Sequence, residues 1–184
     1  MSRRFKLERD QTALLVIDIQ ERLCAAMSPA PLARMVNRAV ALLEGARALG
    51  LPVVLTEQYP KGLGPTLPEV RAALPHGHKT VEKIRFSALM PEAVAGLGGR
   101  TQVLVAGMEA HVCVFQSARD LLENGCQPYL CADAVISRAE EDRQRAIDLC
   151  REAGAIVTTV EAALFDLLGR AGTQEFKKIS AAVK

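Results

Sequence analysis

Three residues far apart in this 184-residue chain have the makings of covalent catalysis: Asp18, Lys83 and Cys113. A carboxylate can take a proton, a thiol can become a nucleophile, and an ammonium beside them can steady both charges. Cys113 follows the apolar run Val103-Leu104-Val105 and a break at Gly107. From Val112 the pattern turns helical, with Val112, Phe115, Leu121 and Leu122 separated by Ser117, Arg119, Asp120 and Glu123. The thiol is therefore expected where a buried strand turns sharply into a helix. Unpaired backbone N–H groups and the helix dipole favour a thiolate there and lower its pKa. A free cysteine is equally at home as a small core residue, so the local pattern leaves both roles open.

The elements that must position these groups alternate. Residues 13–17 are continuously apolar and deliver Asp18 at a strand's carboxyl end, where open α/β sheets bind ligands. A helix cap or turn is the plainer role for an aspartate at that point. Leu32, Met35, Val36, Ala39, Val40, Leu43 and Ala46 have helical spacing, ended by Gly50, and Val53-Val54-Leu55 is a second buried strand. Residues 61–75, rich in Gly and Pro, read as a loop with at most a short helix over 69–73. Residues 79–84 alternate like a strand near an edge and bring Lys83 to its end. Residues 91–97 form a short helix. After the helix that follows Cys113 come a strand over 128–132 ending at Asp133, a helix over 140–152, a strand over 155–158, and helices over 160–168 and 175–182. This β-α-β alternation predicts an α/β protein of three layers, α/β/α, with a central, mainly parallel sheet of Rossmann-like kind, as one domain over residues 1–184.

At these residues the chain resembles the isochorismatase-like cysteine hydrolases. The shared features are Asp18-x-Gln20 at the end of a buried strand, Lys83-x-x-Phe86-Ser87, and Gly107-Met-Glu-Ala-His-Val-Cys113-Val, within a likeness spanning residues 12–168. The segment Thr56-Glu-Gln-Tyr-Pro-Lys-Gly-Leu-Gly-Pro65 is similar to the branch of isochorismatase domain-containing proteins. The resemblance implies a three-layer fold in a homo-oligomer, dimer or larger. It makes Asp18 the general base for Cys113, with Lys83 positioning and stabilising charge. It also implies a cis peptide at Met108–Glu109, which would turn the backbone N–H groups of Glu109 and Cys113 into an oxyanion hole. The reaction implied is attack on an amide-like carbonyl, a thioester intermediate, and hydrolysis. The Glu109 side chain has no assigned role and is expected to face solvent.

Departures from the family narrow the reading. Nicotinamidases carry an Asp-x-His metal cluster after the second strand; Glu57-Gln58-Tyr59 stands here, so no metal and no cofactor are implied. His76-Gly-His78 lies in a Gly/Pro loop without acidic partners and reads as solvated, and His111 as a packing or capping residue. Leu23 occupies the place of a ring-stacking aromatic, and the chain has no Trp. Gln20, Leu23, Glu57, Phe86 and Met108 are the candidates for the substrate pocket. Keeping a cysteine points to acyl transfer rather than vinyl-ether cleavage.

Composition sets the outer bounds. At 49% apolar and 24% charged the chain is globular, and a formal charge of +2 supplies no concentrated basic face for nucleic acid. The stretches Ser2-Arg3-Arg4 and Lys177-Lys178 are small clusters of the kind found at solvated ends. No apolar run reaches the ~18 residues of a membrane span, and the first ten residues lack the apolar stretch of a secretion signal. Five cysteines without C-x-x-C or zinc-like spacing suit a reducing, cytoplasmic setting, with Cys24, Cys126, Cys131 and Cys150 structural. The expected partner is a small-molecule substrate, with no nucleic acid and no membrane. The competing readings are a non-catalytic binding protein that keeps the hydrolase fold and a redox thiol protein.

Overall fold

A computed structural model describes residues 5–184, so the basic cluster at Ser2-Arg3-Arg4 lies outside the described residues. The apolar runs become strands of one six-stranded sheet: β1 (Thr12–Ile17), β2 (Val53–Gln58), β3 (Lys79–Lys83), β4 (Gln102–Met108), β5 (Gln127–Ile136) and β6 (Ile156–Thr158). Every pairing is parallel, and the order across the sheet is β3-β2-β1-β4-β5-β6. The chain thus winds outward in one direction from β1 and then in the other from β4. The crevice between the carboxyl ends of these two strands is the switch point where such sheets hold ligands.

Helices cover both faces because each strand alternates its side chains between two apolar layers. Leu14 and Val16 of β1 enter one core with α2 (Pro29–Leu49), α4 (Pro68–Ala73), α8 (Val160–Leu168) and α9 (Gln174–Ala182). Ala13, Leu15 and Ile17 enter the other with α5 (Pro91–Gly96), α6 (Phe115–Glu123) and α7 (Glu140–Ala153). Gly50 and Gly154 end α2 and α7 in the left-handed conformation, as glycine past a helix end does.

Four local expectations need correction. The second strand does not stop at Leu55 but runs on through Thr56, Glu57 and Gln58, all buried. The fifth extends to Ile136 through an irregularity opposite Val105 and Gly107, where Arg143 donates to the carbonyls of Ala132 and Val135. The Gly/Pro stretch holds two short helices, α3 (Pro60–Leu63) and α4, and the added turn α1 (Glu21–Cys24) follows β1. Between β4 and α6 the chain makes a π-helical turn over Ala110–Val114, so Cys113 sits inside that turn rather than at an α-helix start.

Candidate active site

Asp18 follows β1 with a φ of +52°, a left-handed conformation that is uncommon outside glycine. Its N–H donates to the Thr56 carbonyl, and its own carbonyl accepts from Gln20 N–H. The carboxylate is thereby held at the switch point. Thr56 Oγ1 donates to Asp18 Oδ1 at 2.7 Å, and Lys83 Nζ donates to Asp18 Oδ2 at 2.6 Å. The side chains of Lys83 and Asp18 are wholly withdrawn from water. The lysine also donates to Gln58 Oε1 at 2.8 Å and to the Phe86 carbonyl at 3.0 Å. An ammonium has three protons; Asp18, Gln58 and the Phe86 carbonyl are its nearer acceptors, with the Arg85 carbonyl at 3.4 Å.

Register explains why these groups meet. Thr56 lies beside Val81 and Gln58 beside Lys83 in the β2–β3 pairing. Val54 and Val81 belong to the core that also contains Cys113, and alternation by two puts Thr56, Gln58 and Lys83 on that same face. Cys113 comes from the far side of the switch point, close enough for the charges of Asp18 and Lys83 to act on its thiol. The structure therefore brings Asp18, Lys83 and Cys113 together. Gly107 makes the approach possible: at a φ of +124° a Cβ there would fall on the Ile17 carbonyl group. The Met108–Glu109 peptide that leads into the π-helical turn is cis.

The electrostatics correct the expected thiolate. Burial comes first and the Asp18 charge second in pushing the Cys113 thiol up to about 12; Lys83 pulls it down without prevailing. Cys113 is 6% exposed, so loss of hydration outweighs the nearby cation. Burial and the Asp18 charge together favour the protonated thiol.

The candidate pocket residues fare differently. Gln20 is fully buried and its amide is spent on the backbone, donating to the carbonyls of Gln58 and Gly64 and accepting from Gln58 N–H. Glu57 points to the opposite sheet face, where Oε1 accepts from Thr66 N–H and Thr66 Oγ1. Met108 is buried in the α2-side core and Leu23 packs against it, so neither shares the apolar layer of Cys113. Phe86 is 53% exposed, and beside it Tyr59, Pro60, Ile84 and Met90 line a groove of about 460 Å³ at the ends of β2 and β3. Glu109 does not face solvent: its carboxylate accepts from the N–H and Nε of Arg138. His111 Nδ1 lies 2.9 Å from Ser137 Oγ, which ties the π-helical turn to the segment before α7. His78 Nδ1 lies 3.0 Å from the Pro75 carbonyl. Among the described residues no three His, Cys, Asp or Glu side chains cluster as metal ligands would.

The sequence reading missed Thr56 and Gln58. Their signal was the two-residue alternation from Val54, invisible once the strand was ended at Leu55.

A parallel three-layer α/β fold with an aspartate, a lysine and a cysteine gathered at its switch point defines a class of small α/β proteins with a Rossmann-like sheet. The chain belongs to the isochorismatase family: the Isochorismatase domain matches residues 12–162. It is 38% identical over 178 residues to isochorismatase domain-containing protein 2 of Danio rerio, covering 95% of this chain and 87% of that one. It is 39% identical over 176 residues to isochorismatase domain-containing protein 1 of Salmo salar, covering 94% of this chain but only 61% of that protein's length. The solved structure of the MAR1 ribonuclease from Caenorhabditis elegans superposes with a TM-score of 0.92 at 35% identity, over 97% of this chain and 92% of that one. No helix among the described residues is long and apolar enough to cross a membrane.

Proposed function

We propose that this single-domain protein is a metal-independent cysteine hydrolase of a small amide or related acyl substrate. The observation that carries the reading is the meeting of a neutral buried thiol with a carboxylate whose other partners are fixed. Asp18 takes the Cys113 proton as sulfur attacks the carbonyl carbon, so no free thiolate need precede the substrate. The oxyanion is received by the backbone N–H groups of Glu109 and Cys113. Collapse breaks the C–N bond, and the amine leaves with the proton from Asp18. The carboxylate then takes a proton from water, the hydroxide attacks the thioester, and sulfur departs and recovers its proton. Lys83 serves as the fixed partner of Asp18 Oδ2 rather than as an acid.

The same reading gives a homo-oligomer working in the cytoplasm without a cofactor. The test is a panel of primary and secondary amides, with RNA included because the nematode relative is described as a ribonuclease. Mass spectrometry of the intact protein looks for the acyl adduct. We expect an adduct on Cys113 and no turnover with Cys113→Ala; turnover that survives this change removes the reading. Saturable binding of a small molecule without hydrolysis would favour the non-catalytic binding protein.

A further inference from the structure

Thr56 is buried in a parallel strand, yet its hydroxyl is committed to one carboxylate oxygen of Asp18. The other oxygen is committed to Lys83, whose remaining protons go to Gln58 and a backbone carbonyl. The Gln58 amide cannot turn over, because its nitrogen donates to the Ile84 carbonyl at 2.6 Å while its oxygen accepts from Lys83. Each donor to Asp18 is therefore pinned by β2 or β3. The charged and titratable groups facing the carboxylate are Lys83 from β3 and Cys113 from the π-helical turn; β2 contributes only the neutral Thr56 and Gln58, while Glu57 faces the other way.

On the reading that Asp18 is the base, we propose that Thr56 is its positioning residue. The hydroxyl fixes the rotation of the carboxylate and sets how strongly it takes the thiol proton. A hydrogen bond given to the charged form of a carboxyl favours that form. Removing the donor leaves more of the carboxylate's negative charge facing the thiol, which raises the pH at which Cys113 gives up its proton. Gln58 has the matching task for Lys83, holding the ammonium where its remaining protons reach Asp18 and the Phe86 carbonyl.

The test needs no substrate. Alkylation of Cys113 by iodoacetamide, assigned by peptide mapping, is followed against pH in the wild type, Thr56→Ser and Thr56→Val. Thr56→Val should move the midpoint of the rising limb upward by roughly half to one pH unit, and Thr56→Ser should leave it in place. A midpoint unmoved by Thr56→Val, or moved equally by both changes, overturns the proposal. Should Thr56→Val fail to fold, the wild type decides: the Thr56 hydroxyl proton should give a resolved, slowly exchanging downfield NMR signal from its bond to Asp18 Oδ1, and its absence would overturn the proposal. Neither readout requires turnover, so failure to hydrolyse any amide counts against the hydrolase reading alone.

Discussion

Lys83 Nζ lies 2.6 Å from Asp18 Oδ2, and neither side chain has any contact with water. Each charge is tolerable only because of the other and of the neutral dipoles around them. Breaking such a pair by removing one partner typically costs about 3–5 kcal/mol. Lys83→Met should therefore lower stability by that order and abolish turnover, as measured by urea denaturation beside the activity assay. A variant as stable as the wild type would mean that the pair is not buried in solution.

Stability should fall on the alkaline side. The thiols of Cys24 and Cys113 are pushed up to about 12 and that of Cys150 to about 11, each chiefly by burial, from an ordinary value of 9.0. An unfolded chain releases these protons near pH 9 while the folded one retains them. Above that pH the folded state binds more protons, so its stability declines as pH rises. The melting temperature, followed by circular dichroism from pH 8 to 10.5 under reducing conditions, should drop, and Cys150→Ala should flatten the slope. A slope unchanged by that substitution would assign the decline to other groups.

Gly107 should tolerate no side chain. An alanine Cβ would collide with the Ile17 backbone at a φ of +124°, and core clashes of this kind reach about 4 kcal/mol or more. Gly99 has a φ of +73° but open space around it, so Gly99→Ala should cost only about 1 kcal/mol. Comparing the two variants by chemical denaturation isolates the collision from the backbone preference.

Prolonged dialysis against a chelator should leave hydrolysis unchanged, and added zinc should not raise it. The residues standing where related enzymes place metal ligands are already engaged, Glu57 with Thr66 and Gln58 with Lys83. Loss of turnover on chelation and recovery with metal would contradict this.

Much of this was legible from apolar runs, because a strand buried on both faces must be apolar through its middle. Residues 13–17 and 103–105 located β1 and β4, and with them Asp18 and the turn bearing Cys113. The same criterion failed at Thr56-Glu57-Gln58, where a strand stays buried while turning polar, its side chains satisfied by Asp18, Thr66 and Lys83. Those partners come from elsewhere in the chain, so no local pattern announces them. The state of the thiol was misjudged for a related reason. Position near a helix start was readable, but its loss of hydration depends on how the π-helical turn packs under α7. The burial of Glu109 likewise needed Arg138, 29 residues away.

One consequence of the sheet order concerns quality control. β3 is an edge strand, paired only with β2, and its register sets Lys83 beside Gln58. A slip of one residue would turn Lys83 to the opposite face and leave Asp18 without its cation, while helix content and overall shape hardly changed. Such a molecule would pass a circular dichroism or gel-filtration check. Without Lys83 the Cys113 thiol would be pushed higher still, so slower alkylation of Cys113 at one fixed pH would mark refolded molecules whose outermost strand is out of alignment.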